Sequence, residues 1–331
     1  MLKKILLTFD YEVFFYKMGT VEKCIIEPTD YFLNFCRQRN ISATFFVDAT
    51  FLAFLIKNSD QKLYFRMYKL IEQQISKILK SNHRIELHIH PHWYFTELKD
   101  GILYYPKEKF RIQNCNLEEI DYIIGESYNI LLDICKNIFS GYEITCYRAG
   151  GWCIQPFDKI KNILLKYNII IDSSVAFGLY DNTDTHFYNF KNSTRKSIYR
   201  FDQKPEIEDT SGKFIEIPIS TYKTNPYRKL QRKYLLKEKF NSWGDGVGIN
   251  VNKNNLIRKL FNGYSMFSID GNFDIQYNLD RVLQYDLNTV NFISHPKNFT
   301  KMSFKFLDLL NLYDVSYYNI YEYCMEYKVK L

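Results

Sequence analysis

Short apolar runs alternate with longer amphipathic stretches along most of the chain. KILLTF (4–9) runs apolar up to Asp10, the pattern of a strand buried on both faces. PTDYFLNFCRQRN (28–40) sets Phe32, Phe35 and Cys36 at helical spacing, and SATFFVD (42–48) reads as a strand. YFRMYKLIEQQISKILK (64–80) predicts a helix and RIELHIH (84–90) the next strand. Asn116 with Glu119 three residues on is a capping box opening a helix over 117–139. EITCYR (143–148) is a strand, PFDKIKNILLKYN (156–168) a helix and IIIDSS (169–174) a strand. FIEIPIS (214–220) and NGYSMFSID (262–270) predict strands, 273–286 a helix, TVNFISH (289–295) a strand and 304–313 a helix.

Strands that alternate with helices imply a parallel sheet. About seven such units over 331 residues favour closure into a distorted (β/α) barrel, an α/β fold made of a single domain spanning 1–331. The stretch 178–212 is polar and reads as a loop-like excursion from that domain. Residues 223–239 read as a basic helical segment: Lys223, Arg228, Lys229, Arg232, Lys233, Lys237 and Lys239 face only Glu238 in opposition. Such a segment is either a solvated helix face or a contact for phosphate, on a substrate or at a membrane surface.

Composition narrows the class. Hydrophobic residues make up 46% of the chain, ample for a large core, and aromatics reach 18%. A net charge of +7 permits an acidic partner without the concentrated basic face of a nucleic-acid binder, so no nucleic-acid partner is expected. The seven cysteines form no CxxC pair and are odd in number, which reads as free thiols in a reducing compartment. The opening MLKKILLTFDYEVFF lacks a signal-peptide pattern, and the apolar stretch 45–56 is too short to span a bilayer and carries Asp48. The expectation is a soluble, cytoplasmic protein.

The chemistry gathers at the strand ends, where parallel α/β folds build their sites. Asp10 and Glu12 follow the first strand. His88, His90 and His92 crowd into five residues of a chain with six histidines. Arg148, Gly150, Gly151 and Trp152 follow a third strand, Asp172, Ser173 and Ser174 a fourth, and His295 ends a fifth. His88 and His92 can converge on one ion if the chain coils after His88, with Asp10 or Glu12 as the third ligand. Two imidazoles and a carboxylate leave coordination positions open for water and substrate. Whichever acid is not a ligand can act as base, Arg148 can pair with it, and His295 can protonate a leaving group. His90 and Trp93 stand beside this set as substrate-contacting or supporting residues, as do Trp152 and Asp172.

These motifs resemble the NodB-homology polysaccharide deacetylases, carbohydrate esterase family four. The resemblance rests on Thr8-Phe9-Asp10-Tyr11-Glu12, His88-Ile89-His90-Pro91-His92, Arg148-Ala149-Gly150-Gly151-Trp152, Asp172-Ser173-Ser174 and Ile293-Ser294-His295, in family order over residues 4 to about 300. It implies a distorted barrel holding one divalent metal, zinc first, with cobalt, nickel or manganese as alternatives. It also implies Asp10 as catalytic base, Glu12, His88 and His92 as ligands, Arg148 holding the base and His295 as general acid. The family's adjacent aspartates are replaced here by Asp10 and Glu12 around Tyr11, which leaves the roles of these two acids open to exchange. The activity implied is removal of an N-acetyl or related acyl group from an amino sugar. The sequence points to a surface-glycan precursor, nucleotide- or lipid-linked, with the basic segment as a contact either for that precursor's phosphate or, peripherally, for a membrane surface. The alternatives are a catalytically inactive glycan-binding barrel and a metal-dependent phosphoesterase; the latter normally gathers more histidines than His83, His186 and His295 would add.

Overall fold

The computed structural model describes residues 2–15, 17–230, 242–248, 263–270 and 274–327. Strand β1 (Lys3–Tyr11) is buried along its length except at Lys4, as its unbroken apolar run requires. The other strands of the main sheet are β2 (Thr44–Asp48), β3 (Arg84–Ile89), β4 (Cys146–Ala149), β5 (Ile171–Asp172), β6 (Tyr199–Phe201), β7 (Phe214–Glu216), β8 (Thr289–Ser294) and β9 (Val315–Tyr318). Their order is β6-β7-β5-β4-β3-β2-β1-β8, and β9 pairs separately with β1. Every pairing is parallel except that of β6 with β7. The sheet curls into a half-barrel flanked by helices, the distorted (β/α) barrel expected.

β1 is the hub. β8 runs along one edge of it, from Lys4↔Thr289 to Phe9↔Ser294. The other edge is divided between two strands: β2 pairs with Thr8–Tyr11 and β9 with Lys3–Leu6. At the far side, Pro218 lacks the N–H a regular ladder needs, and one backbone bond and a side-chain amide make the join. The Ser220 N–H donates to the Asn291 carbonyl (2.9 Å), and the Asn291 amide donates to the carbonyls of Ile217 and Pro218 (3.2 Å each). Asn291 of β8 thus joins the two ends of the curl.

The helices follow the sequence pattern closely. α1 (Glu27–Cys36), α2 (Ala49–Lys57) and α3 (Lys62–Lys80) precede β3. α3 buries Tyr64, Met67, Ile71, Ile75 and Ile78 on one face, the 3–4 spacing of an amphipathic helix. α4 (Leu117–Lys136) starts at the expected capping box, with both reciprocal bonds of Asn116 and Glu119 formed. α5 (Asp158–Lys166), α6 (Ile275–Leu283), α7 (Lys301–Leu310) and α8 (Ile320–Glu326) follow later in the chain. Among the described residues no helix is long and apolar enough to cross a membrane.

One expectation needs correcting. The 178–212 stretch is not only a loop: Tyr180–Asn182 and Phe187–Asn189 form a hairpin, and β6 joins the main sheet antiparallel to β7. Tyr188, Phe190, Tyr199 and Phe201 are buried there, apolar anchors set singly among polar residues and so without a visible period. Most of the basic segment 223–239 lies outside the described residues. Of the part described, Pro226–Leu230 is helical, Arg228 pairs with Asp274 at 3.5 Å, and the Lys229 ammonium donates to the Tyr264 carbonyl at 2.9 Å.

Candidate metal centre and active site

The strand ends of β1, β3, β4 and β8 meet at one cleft of about 130 Å³. Its lining includes Asp10, Glu12, His90, Trp152, His186 and His295, with Phe15 and Phe110 as apolar walls.

β3 carries the imidazoles. Alternation along an extended chain puts His88 and His90 on one face. The His88 Nε2 lies 3.2 Å from Glu12 Oε2 and 3.0 Å from His90 Nε2, and His90 Nε2 lies 2.7 Å from the same Glu12 oxygen. Among the described residues these three form the group able to hold a metal ion. The donor set is a carboxylate and two imidazoles, which suits zinc and similar ions, and the three atoms are close enough to share one ion with bonds of about 2.0–2.2 Å. His88 Nδ1 sits 2.9 Å from the Arg148 carbonyl, so donation there leaves the Nε2 lone pair facing the triad.

His92, expected as the second imidazole ligand, is placed elsewhere. Pro91 opens a single 3₁₀ turn (Pro91–Phe95) that carries the chain off the strand face. The His92 ring stacks on Phe110 at 4.6 Å and 11°, fully buried, and neither ring nitrogen has a hydrogen-bond partner. Burial, and then the charge of His90, pushes it well below the ordinary histidine range and keeps it neutral. The turn that was expected to bring His92 in carries it away, and simple alternation delivers His90 instead.

β1 supplies the two acids, and they have different partners. Arg148, fully buried, donates to Asp10 Oδ1 (2.9 Å), to Thr8 Oγ1 (2.9 Å) and to the hydroxyl and carbonyl of Ser173 (2.9 and 2.7 Å). Its guanidinium also lies 4.0 Å above the Phe46 ring. The Ser173 hydroxyl donates in turn to the Ile217 carbonyl (2.9 Å), so the arginine is locked from several strands. Glu12 instead accepts from the Lys297 ammonium at Oε1 (2.8 Å). Burial disfavours charge on Glu12, but Lys297 and His90 outweigh it and hold the carboxyl well below its usual range. Burial likewise opposes charge on His88, yet Asp10 and Glu12 raise it to about 9.

His295 ends β8 and faces both acids, its Nε2 3.8 Å from Asp10 and 3.7 Å from Glu12. Asp270 orients it, accepting from the backbone N–H (3.0 Å) and facing Nδ1 (2.9 Å). Burial lowers the basicity of His295, but the Asp270 hydrogen bond and charge leave it above the ordinary value.

The remaining sequence candidates divide. Trp152 lines the cleft in a left-handed conformation (φ 59°), directly after Gly151 (φ 58°), and strain of this kind concentrates at functional sites. Gly150 is needed for close approach: a Cβ there would lie 2.5 Å from the Ile89 carbonyl oxygen and 2.7 Å from His90 Nδ1. Trp93 is buried behind the site, where its indole N–H donates to Asp48 (3.0 Å). Asp48 caps α2, and the Thr50 hydroxyl beside it accepts the His90 N–H (3.1 Å), so Trp93 supports the backbone of β3 and does not line the cleft. Asp172 lies below the site and accepts from the Ser174 hydroxyl (2.7 Å). Lys297 and Asp270, which bond the triad's Glu12 and His295, and Asn291, which joins the curl, are not singled out by the sequence. Asp270 ends an expected strand and could have been found by that position; Lys297 and Asn291 carry no local signal.

Comparison with protein-family models found no match, and comparison with curated proteins found none. Solved structures do match. A GH57-type branching enzyme from Pyrococcus horikoshii aligns over 99% of this chain and 71% of its own, at 8% identity and TM-score 0.51. Family 4 carbohydrate esterases are among the matches too: peptidoglycan deacetylase PdaC from Bacillus subtilis covers 99% of this chain and 92% of its own, at 12% identity and TM-score 0.40. The likeness is one of fold. The chain spans 41% of the length of another match, the 4-alpha-glucanotransferase of Thermococcus litoralis (13% identity, 98% of this chain, TM-score 0.45).

Proposed function

We propose that the protein is a metal-dependent deacetylase that removes an N-acetyl or related small acyl group from an amino sugar. The observation that carries this reading is the Glu12–His88–His90 triad set beside an acid, Asp10, that belongs to Arg148 and not to the triad. A divalent ion held by the triad would polarise the acyl carbonyl and acidify a water. Asp10 is the base: its Oδ1 is fixed by Arg148 and its Oδ2 faces His295 across the cleft. His295, oriented by Asp270, is the acid that protonates the departing amine. Glu12 is the ligand, so the roles of the two acids divide as the arginine divides them.

The cleft suits a small acyl group. A cavity of 150 Å³ holds benzene, so about 130 Å³ has room for an acetamido group. Glycosyl transfer, the activity named for the branching enzyme, draws less support: it needs two carboxyl groups available as acid and as nucleophile or base. Here Glu12 is tied to two imidazoles and a lysine, which leaves Asp10 as the one acid of the pair open to serve. A multi-metal phosphoesterase would need further ligand clusters, and one such group is found among the described residues.

The proposed setting is cytoplasmic, on a nucleotide- or lipid-linked precursor whose phosphate meets the basic segment 223–239. The deciding experiment is acetate release from N-acetylated amino sugars by the zinc- or cobalt-loaded protein, compared with Asp10→Asn and His295→Ala. Release by the parent, with losses of roughly 10²–10⁴-fold in each variant, supports the assignment. Metal binding with no hydrolysis of any N-acetyl sugar would favour the inactive glycan-binding barrel.

A further inference from the structure

Lys297 has no part in the reaction proposed above, yet it is built into the centre. Its ammonium donates to Glu12 Oε1 (2.8 Å) and to the Val13 carbonyl (2.8 Å), between the rings of Phe14 and Phe15 at 4.9 and 5.0 Å. The side chain is 6% exposed. A second segment closes over it: the Gly244 N–H donates to the Lys297 carbonyl (2.9 Å), and a Cβ on Gly244 would stand 2.8 Å from that oxygen and 3.0 Å from Lys297 Cβ. Residues around Gly244 thus pack on the base of the side chain, while Glu12, Val13, Phe14 and Phe15 surround the ammonium.

Glu12 has two carboxylate oxygens with separate assignments. Oε2 faces His88 and His90, and Oε1 is taken by Lys297. A buried lysine needs an ionised partner, and the carboxylate also prefers one. A second cation arriving at Oε2 must share that charge with a positive group it cannot displace, one carboxylate away.

We infer that Lys297 is a fixed counter-cation that restricts Glu12 to one ligating oxygen and weakens the centre's hold on a divalent ion. The inference rests on the reading that the Glu12–His88–His90 triad binds metal. It gives the centre an exchangeable ion rather than a permanent one.

Zinc and cobalt titrations of the full chain at one fixed pH test this, with each variant's thermal transition checked first. Lys297→Met keeps the apolar stem against Phe14 and Phe15 and removes the charge. Lys297→Gln keeps a donor for Oε1 without charge, and serves if the Met variant fails to fold. Both should bind the ion about tenfold tighter or more, while Lys297→Arg, which preserves charge, should stay near the parent. Equal or weaker binding in Met and Gln variants, with the parent binding metal, overturns the role of Lys297 and leaves the metal centre standing. Binding by the variants alone supports the inference and removes the metal-enzyme reading of the parent. No binding by any of them overturns both.

Discussion

His90 and His92 lie two residues apart and sit in opposite surroundings, one facing a carboxylate and the other enclosed by aromatic rings. Replacing His88 or His90 by Ala should lower metal content and affinity by roughly two orders of magnitude, because each is one of three ligands. His92→Phe fills a similar volume and should retain the ion; elemental analysis of the four purified proteins decides. If His92→Phe loses the metal and His90→Ala keeps it, the ligand assignment is wrong. The acid is testable through its partner. Burial lowers His295, and Asp270 more than restores it, so Asp270→Asn must bring it down. The protonated acid then disappears at lower pH, and the alkaline limb of the kcat/KM profile should move to lower pH. An alkaline limb that stays in place would mean that His295 does not act as the acid. At this scale the sequence was generous with residue types and poor with directions. Asp10, Glu12, His88, Arg148 and His295 could be singled out because polar groups at the ends of apolar runs are conspicuous. Which of His90 and His92 points inward depends on where β3 stops, a matter of one or two residues that hydrophobic periodicity does not fix.

At the scale of elements, His83 shows how packing between segments sets a pH response. It sits in the turn from α3 to β3, its ring 5.6 Å from Phe32 of α1 and 5.9 Å from Phe45 of β2, and neither nitrogen has a hydrogen-bond partner. Burial lowers it to about 4. Between pH ~6.5 and 4 the unfolded chain takes up a proton that the folded chain refuses, so stability is lost as pH falls through that window. The loss from this residue is about 2 kcal/mol at pH 5. His83→Met should flatten the fall in urea midpoint between pH 7 and 5, and an unchanged slope would assign the acid sensitivity to other groups. Elements with a clear period were legible: β1, α3, β3, the capped α4, α6, β8 and α7 all lie close to their expected ranges. Others were hidden. α2 reads as a plain apolar stretch because it is buried nearly all round, which erases the stripe that marks a surface helix. The hairpin at 180–189 and β6 are three-residue strands, too short for an alternation to register. β9 is half-buried throughout, and α8 follows it directly, so neither stood out from the polar and aromatic C-terminal sequence.

At the scale of the molecule, the triad ties the end of β1 to the end of β3 across β2. An ion bound there is a ligand of the folded state alone, and at one hundred times its Kd it adds about 2.7 kcal/mol. Loading with zinc should therefore raise Tm by a few degrees and chelation should reverse the shift, an effect that His90→Ala abolishes. Equal Tm with and without metal in the parent would separate the ion from the fold. The parallel class and the single barrel-like curl could be argued from alternation. The way the curl is joined could not, since it depends on the amide of Asn291 reaching the carbonyls of Ile217 and Pro218, more than 70 residues earlier in the chain.

β1 divides one of its edges between β2 and β9 and gives the other to β8. The strand that carries Asp10, with Glu12 directly after it, takes two of its three neighbours from residues 289–318. Those pairings span some of the longest separations in the chain, and loop closure on that scale is slow. Until they form, a strand with the apolar run Ile5–Leu7 and Phe9 has an open edge, the kind of surface that holdase chaperones cover and that aggregates recruit. The strand leading to both acids is thus among the last to be enclosed, so chains stalled before residue 289 carry Asp10 and Glu12 but no assembled cleft.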